Sequence, residues 1–123
     1  MRVNYAMVFV KDMDRSVSFY QDVVGLPLKF QSPGWTEFAT DGATLALHLA
    51  EVESQANHLS QVHQAGTCRP GFSVQDLDEF HERMTSQHVV CTQAPKSIFG
   101  SRVAQYADPD GLIFAVGEER RGS

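Results

Sequence analysis

The chain is poor in cysteine, has a single tryptophan, and carries neither a long apolar run nor a basic one. Its two cysteines, Cys68 and Cys91, are too few for a disulfide framework and are not spaced as a zinc pair. They are expected to be free thiols in a reducing compartment, which makes a cytoplasmic location the expectation. Lys and Arg number 10 against 15 Asp and Glu, a formal net charge of −5, and the cations are scattered. A phosphate-backbone binder needs a concentrated positive footprint, so nucleic acid is excluded as a partner. Mild acidity suits a cationic ligand, but most soluble domains of this size share it and it discriminates weakly. No stretch approaches the roughly 20 apolar residues of a membrane span, and the N-terminus lacks a basic-then-apolar export signal, so no membrane partner is expected.

What is present is enough for one core. The 123 residues, 42% of them apolar, suffice for a single domain over 1–118, followed by a tail, 119–123, without apolar side chains to dock it. Residues 5–10, Tyr-Ala-Met-Val-Phe-Val, read as a strand, and an aspartate in Lys11-Asp12-Met13-Asp14 can cap a helix. Val17, Tyr20, Val23 and Val24 recur at helical spacing over about 14–24, and Gly25 and Pro27 supply the stop. Leu28 to Gln31 then extends, Ser32-Pro33-Gly34 turns, and 36–40 with 43–49 form a hairpin around Asp41-Gly42.

The second half repeats this order. Val74-Gln75-Asp76-Leu77-Asp78 echoes Val10-Lys11-Asp12-Met13-Asp14, and a helix with Leu77, Phe80 and Met84 on its inner face follows. Val89 to Thr92 reads as a strand, a Pro-containing loop follows, and 102–107 with 112–116 make a hairpin around Asp110-Gly111. The fold class is therefore α+β, two tandem βαβββ modules at about 3–50 and 67–117. The polar segment between them carries His58 and His63, whose spacing is off one helical face; it reads as a solvated linker and stays out of the site.

The repeated V-x-D-[L/M]-D passage, the Phe19-Tyr20-Gln21-Asp22-Val23-Val24-Gly25-Leu26 run and Asp108-Pro109-Asp110-Gly111 before the last strand together resemble the vicinal oxygen chelate superfamily. That group includes glyoxalase I, extradiol dioxygenases and bleomycin-resistance proteins, and the resemblance covers residues 3 to 117. It implies that each half curls four strands into a partial barrel and that paired halves enclose a pocket. It also implies four metal-ligand positions, which fall here on Tyr5, Ala46, Arg69 and Ala115. None is a usual ligand, since alanine offers no donor and a guanidinium repels a cation. The expectation is that no metal and no cofactor is bound.

Alternation along 44–49 places Leu45, Leu47 and Leu49 on one face and Thr44, Ala46 and His48 on the other, toward the expected pocket. His48 can be a lone ligand, a general base or, most often for a single histidine, a polar liner. Tyr5, Met7 and Phe9 point one way, with Ala6, Val8 and Val10 toward the helix, and Arg69 shares a face with Gly71 and Ser73. Trp35 and Phe99 sit at loop-to-strand passages where aromatics line a mouth or pack under a loop. The expected ligand-binding set is Tyr5, Met7, Trp35, His48, Arg69 and Phe99, an apolar site with a few polar anchors. The first reading is a metal-free, homodimeric binder of a small organic ligand, sequestering an antibiotic or a metabolite. The alternatives are a glyoxalase-like lyase or isomerase, either metal-dependent through displaced ligands or acid-base through His48 and Tyr5, and an interaction module whose pocket has closed.

Overall fold

A computed structural model describes residues 1–50 and 65–119. His58 and His63 lie outside the described residues. The chain divides into two compact units, Met1–Gln55 and Ala56–Ser123. Each is one βαβββ module with its own four-stranded mixed sheet, and the α+β class with two modules is what the structure has.

In module one, β1 (Tyr5–Val10), α1 (Met13–Ser18), β2 (Leu28–Gln31), β3 (Trp35–Phe38) and β4 (Thr44–Leu49) form a sheet of order β1-β4-β3-β2. In module two, β5 (Gly71–Val74), α2 (Leu77–Ser86), β6 (Cys91–Ile98), β7 (Ser101–Ala107) and β8 (Ile113–Glu118) give the same order, β5-β8-β7-β6. Registers match as well, with β1 parallel to β4 so that Met7 faces Ala46, and β5 parallel to β8 so that Gly71 faces Ala115. In both modules the inner partner stands four residues past the hairpin glycine, Gly42 or Gly111.

The sequence repeat has a direct physical cause at the helix starts. Asp12 accepts from Arg15 N–H at 3.1 Å, and Asp76 accepts from Glu79 N–H at 3.0 Å. Their backbones are nearly superposable, φ −133°, ψ 104° and φ −131°, ψ 98°. Each aspartate thus satisfies an orphan donor of the first turn, two residues after its strand ends.

The helix expected over 14–24 starts one residue earlier and is not uniform. After Ser18 the ladder changes, Phe19–Val24 is π-helical, and the N–H groups of Gly25 and Leu26 both reach Tyr20 O, at 3.1 and 2.9 Å. Gly25 closes it at φ 99°, a left-handed exit that glycine adopts without a Cβ penalty. The strand expected at 89–92 runs from Cys91 to Ile98, so Pro95 lies inside an edge strand rather than in a loop. Register shifts on both sides of Gln93 and the edge position accommodate a residue that cannot donate to a ladder. The tail expected to fray from 119 is held one residue longer, because Glu119 N–H donates to Val74 O at 2.8 Å; residues 120–123 lie outside the described set.

The core of module one lies between the helix and one sheet face. Met13, Ser16, Val17 and Tyr20 are buried there, as are Val8, Val10, Thr36, Phe38, Leu45 and Leu47 on the sheet. Module two buries Leu77, Phe80 and Met84 of α2, together with Ala104, Tyr106, Phe114 and Val116. The Arg102 guanidinium donates to both Asp78 oxygens, at 2.7 and 3.2 Å, and approaches Glu118 at 3.5 Å, while Glu118 accepts the Leu77 N–H at 2.9 Å. This ties the start of α2 to β7 and β8.

Asp108 explains the framed turn before β8. Its buried carboxylate accepts from the N–H groups of Asp110 and Leu112, both at 2.9 Å, and Gly111 follows at φ 87°. Thr40 does the corresponding work in module one, accepting from Gly42 N–H at 3.0 Å.

Two outcomes test this account. The Tyr106 hydroxyl, 2.9 Å from His81 Nδ1, is pushed up to about 12 by burial and by the neighbouring Cys91. A folded-state value above the usual 10 stabilises the fold below pH 10, and the contribution is lost as pH rises toward 12. Resistance to urea unfolding should therefore fall over that window in the native chain and less steeply in Tyr106→Phe. The second concerns the β6–β7 hairpin, where Phe99 and Gly100 occupy the two central positions at φ 52° and 80°. That is type I′ geometry, which disfavours a bulky L side chain by about 1–2 kcal/mol and suits asparagine. Phe99→Asn should raise the unfolding midpoint, since the ring is fully exposed and its loss forfeits little burial.

Candidate functional site

Because paired residues on adjacent strands share a face, the pairing in module one places Tyr5, Met7 and Phe9 of β1 with Thr44, Ala46 and His48 of β4 on the side away from the helix. Trp35 and Glu37 of β3 join them, opposite His48 and Ala46, and Phe30 of β2 stands opposite Glu37. The aromatic rings of this open face are largely exposed: Tyr5, Phe9 and Phe30 are 53, 59 and 53% exposed, around half-buried Trp35 and His48.

The aromatic rings are mutually oriented. Trp35 makes edge contacts with Tyr5, centroids 5.9 Å apart, and with His48 at 6.0 Å, while His48 lies 5.3 Å from Phe9. The Trp35 indole N–H donates to a Glu37 carboxylate oxygen at 2.8 Å, and the other Glu37 oxygen is 3.6 Å from Lys29 Nζ. His48 Nδ1 stands 2.7 Å from the Leu49 carbonyl oxygen. A carbonyl only accepts, so Nδ1 is the donor of this contact and Nε2 is the ring nitrogen turned to the open face.

Four of the six expected ligand-binding residues, Tyr5, Met7, Trp35 and His48, thus share one face of one module. Arg69 and Phe99 belong to module two. Arg69 is half-buried, precedes β5 by two residues and makes no ion pair among the described residues. Phe99 is fully exposed at the tip of the β6–β7 hairpin. Tyr5 and His48 both touch Trp35 but sit four ladder positions apart on the paired strands, with no hydrogen bond joining them. The indole separates them, which is poor geometry for the acid-base pair.

Glu37 and Phe30 escaped sequence reasoning. Starting β3 at Thr36 left Trp35 at the loop-to-strand passage and hid its period-two partner; with the strand beginning at Trp35, Glu37 follows on the same face. Phe30 was hidden by the irregular register between Leu28 and Phe30.

The four positions at which the superfamily's metal ligands would stand do not fit a metal. Ala46 is fully buried between Met7 and Glu37 in register, and Ala115 stands between Gly71 and Gln105. With Tyr5 and Arg69 the set is two methyl groups, a phenol and a guanidinium, none of them an ordinary donor to a divalent first-row ion. No group of three or more His, Cys, Asp or Glu side chains is placed to hold a metal among the described residues.

Known proteins share this frame. A Bacillus subtilis (strain 168) protein, YraH, itself uncharacterized, is 25% identical over 94% of this chain and 97% of its own length. TnmS3, an antibiotic binding protein from Streptomyces sp. CB03234, aligns with a TM-score of 0.73 at 25% identity over 98% of this chain and 97% of that one. TioX from Micromonospora sp. ML1 aligns with a TM-score of 0.76 at 20% identity over 98% of this chain and all of its own, a likeness of fold. The sequence profile of the Glyoxalase/Bleomycin resistance protein/Dioxygenase superfamily matches residues 2–116, and the chain belongs to that superfamily.

Proposed function

We propose that this chain is a metal-free small-molecule-binding protein that holds a planar organic ligand, an antibiotic or a metabolite, against the open face of module one. The observation that carries the reading is the cluster of exposed and half-exposed aromatic rings on that face. Apolar area left in water forgoes about 25 cal/mol per Å², and a contiguous apolar patch on one sheet face marks a surface that something covers. Tyr5, Phe9 and Trp35 would stack on the ligand, Met7 would pack beside it, and His48 Nε2 and the Tyr5 hydroxyl would fix its orientation. TnmS3, which resembles this chain over nearly its whole length, is an antibiotic binding protein, which supports a small-molecule ligand here.

The mismatch at Tyr5, Ala46, Arg69 and Ala115 supports binding without a metal. Arg69 is the proposed anchor for an anionic or polar ligand group at module two, its planar fork suiting a carboxylate. Phe99, held out at a backbone cost, is proposed as a contact residue for the ligand. The cysteines, both exposed and unpaired, accord with a proposed cytoplasmic location. No described helix is long and apolar enough to cross a membrane.

Trp35 is the single tryptophan, so its fluorescence reports this face directly. A panel of planar aromatic compounds should contain members that quench it saturably at one per chain. Trp35→Ala should weaken the best of them at least about tenfold by calorimetry, a loss of ~1.4 kcal/mol or more. No saturable quenching by any member, or stoichiometric nickel, zinc, iron or manganese after native purification, would overturn the reading. A homodimer is proposed as well, because β1, β2, β5 and β6 are sheet edges that pairing would cover. Sedimentation at micromolar concentration should give about twice 13.7 kDa, and a monomer would refute it.

A further inference from the structure

We propose that the open face of module one selects planar ligands bearing a positive charge or an N–H donor at the ring edge, and that Glu37 determines this preference. The inference rests on the binding reading above and adds the chemical class of the ligand.

The face offers acceptors and π electrons. With His48 Nδ1 spent on the Leu49 carbonyl, Nε2 is the nitrogen left to a ligand, and in the neutral ring it accepts. The Trp35 N–H, which could have served a ligand acceptor, is committed to Glu37 at 2.8 Å. That bond fixes the indole in its plane, and a carboxylate at the N–H makes the ring more electron-rich. A cation seated over such a ring is attracted by its quadrupole, indole more strongly than phenol or phenyl. Glu37 adds a full negative charge at the edge of the same ring.

Among the described residues Lys29 is the cation placed to compete, and it competes poorly. Its Nζ stands 3.6 Å from the carboxylate, beyond the 2.7–2.9 Å of a tight charge-assisted bond, and its side chain is 55% exposed against 30% for Glu37. Such surface pairs are worth little, so a ligand cation pressed against the aromatic face can take the lysine's place at small cost. A ligand anion would meet Glu37 with its own charge, a repulsion that separates competing ligands as surely as any attraction. The formal net charge of −5 biases encounter in the same direction. Arg69 stands on the other module, so the test reads the change that Glu37 makes rather than the absolute preference.

The experiment titrates the full chain with two planar probes of matched three-ring size, cationic 9-aminoacridine and anionic anthracene-9-carboxylate, following Trp35 fluorescence. The native chain should bind the cation at least tenfold more tightly. Glu37→Gln keeps an oxygen to accept the indole N–H and removes the charge; it should bring the two affinities within threefold of each other. Lys29→Met should widen the native ratio and keeps the test decisive should Glu37→Gln fold poorly. Glu82→Gln, which removes an exposed carboxylate on α2, should leave the ratio as it was. A ratio unmoved by Glu37→Gln, a ratio moved equally by Glu82→Gln, or a native preference for the anion overturns the inference while leaving the binding reading intact. Absence of saturable quenching by both probes also overturns it, and the wider panel then decides the binding reading separately.

Discussion

The parallel register of β1 on β4 is the constraint on which the rest of module one depends. With Met7 against Ala46, side-chain alternation sends Val8, Val10, Leu45 and Leu47 under the helix and Tyr5, Met7, Phe9 and His48 to the open side. A slip of one residue would put the aromatic set into the core and the valines into water. Parallel neighbours need a crossover, and the crossover begins where Asp12 caps α1. The cap, worth about 1 kcal/mol, therefore acts beyond its own turn, because it sets where the chain leaves β1.

The same register in module two shows which positions the fold needs and which it leaves free. Five positions facing the helices stay large and apolar in both modules: Val8 corresponds to Phe72, Val10 to Val74, Leu45 to Phe114, Leu47 to Val116 and Phe38 to Tyr106, while Thr36 and Ala104 share a buried small site. On the open faces the correspondence fails. Tyr5, Met7, Phe9, Trp35 and His48 become Arg69, Gly71, Ser73, Val103 and Gly117. Packing density punishes changes in the core, whereas a face that packs on nothing within its own sheet can be emptied or filled as a ligand requires. Module one carries the aromatic surface, and the counterpart positions of module two hold no aromatic ring among these five.

The frame survives while the superfamily's metal donors are absent from it. Ala46 and Ala115 keep the strand positions, framed by turns that Thr40 and Asp108 hold together, and offer only methyl groups there. The turn chemistry serves register rather than catalysis. The charged group on the open face stands one strand over from Ala46, at Glu37 on β3, hydrogen-bonded to Trp35.

Much of this was legible before any coordinates. Alternation in Tyr5–Val10 and in Thr44–Leu49, the twice-used aspartate caps and the Asp-Gly hairpins are local signals, because capping, turn geometry and period-two patterning act over a few residues. They were sufficient for the two modules, their order, the burial of Leu45 and Leu47 and the shared face of Tyr5, Met7 and His48. The π-helical run after Ser18 left no such mark, since Val17, Tyr20 and Val24 satisfy either helical ladder until the Tyr20 carbonyl takes both the Gly25 and Leu26 N–H groups. Pro95 inside β6 was equally hidden, because tolerance of proline depends on a strand lying at an edge, which only the assembled sheet decides. Glu37 is the clearest case: its partners Trp35 and Lys29 lie on its own and the adjacent strand, and only the β2–β3 register brings the lysine near. The sequence by itself determined the frame and the sides of its strands; the tertiary structure decided which side chains on the open side meet, because pairing between strands is non-local and is not written in any one segment.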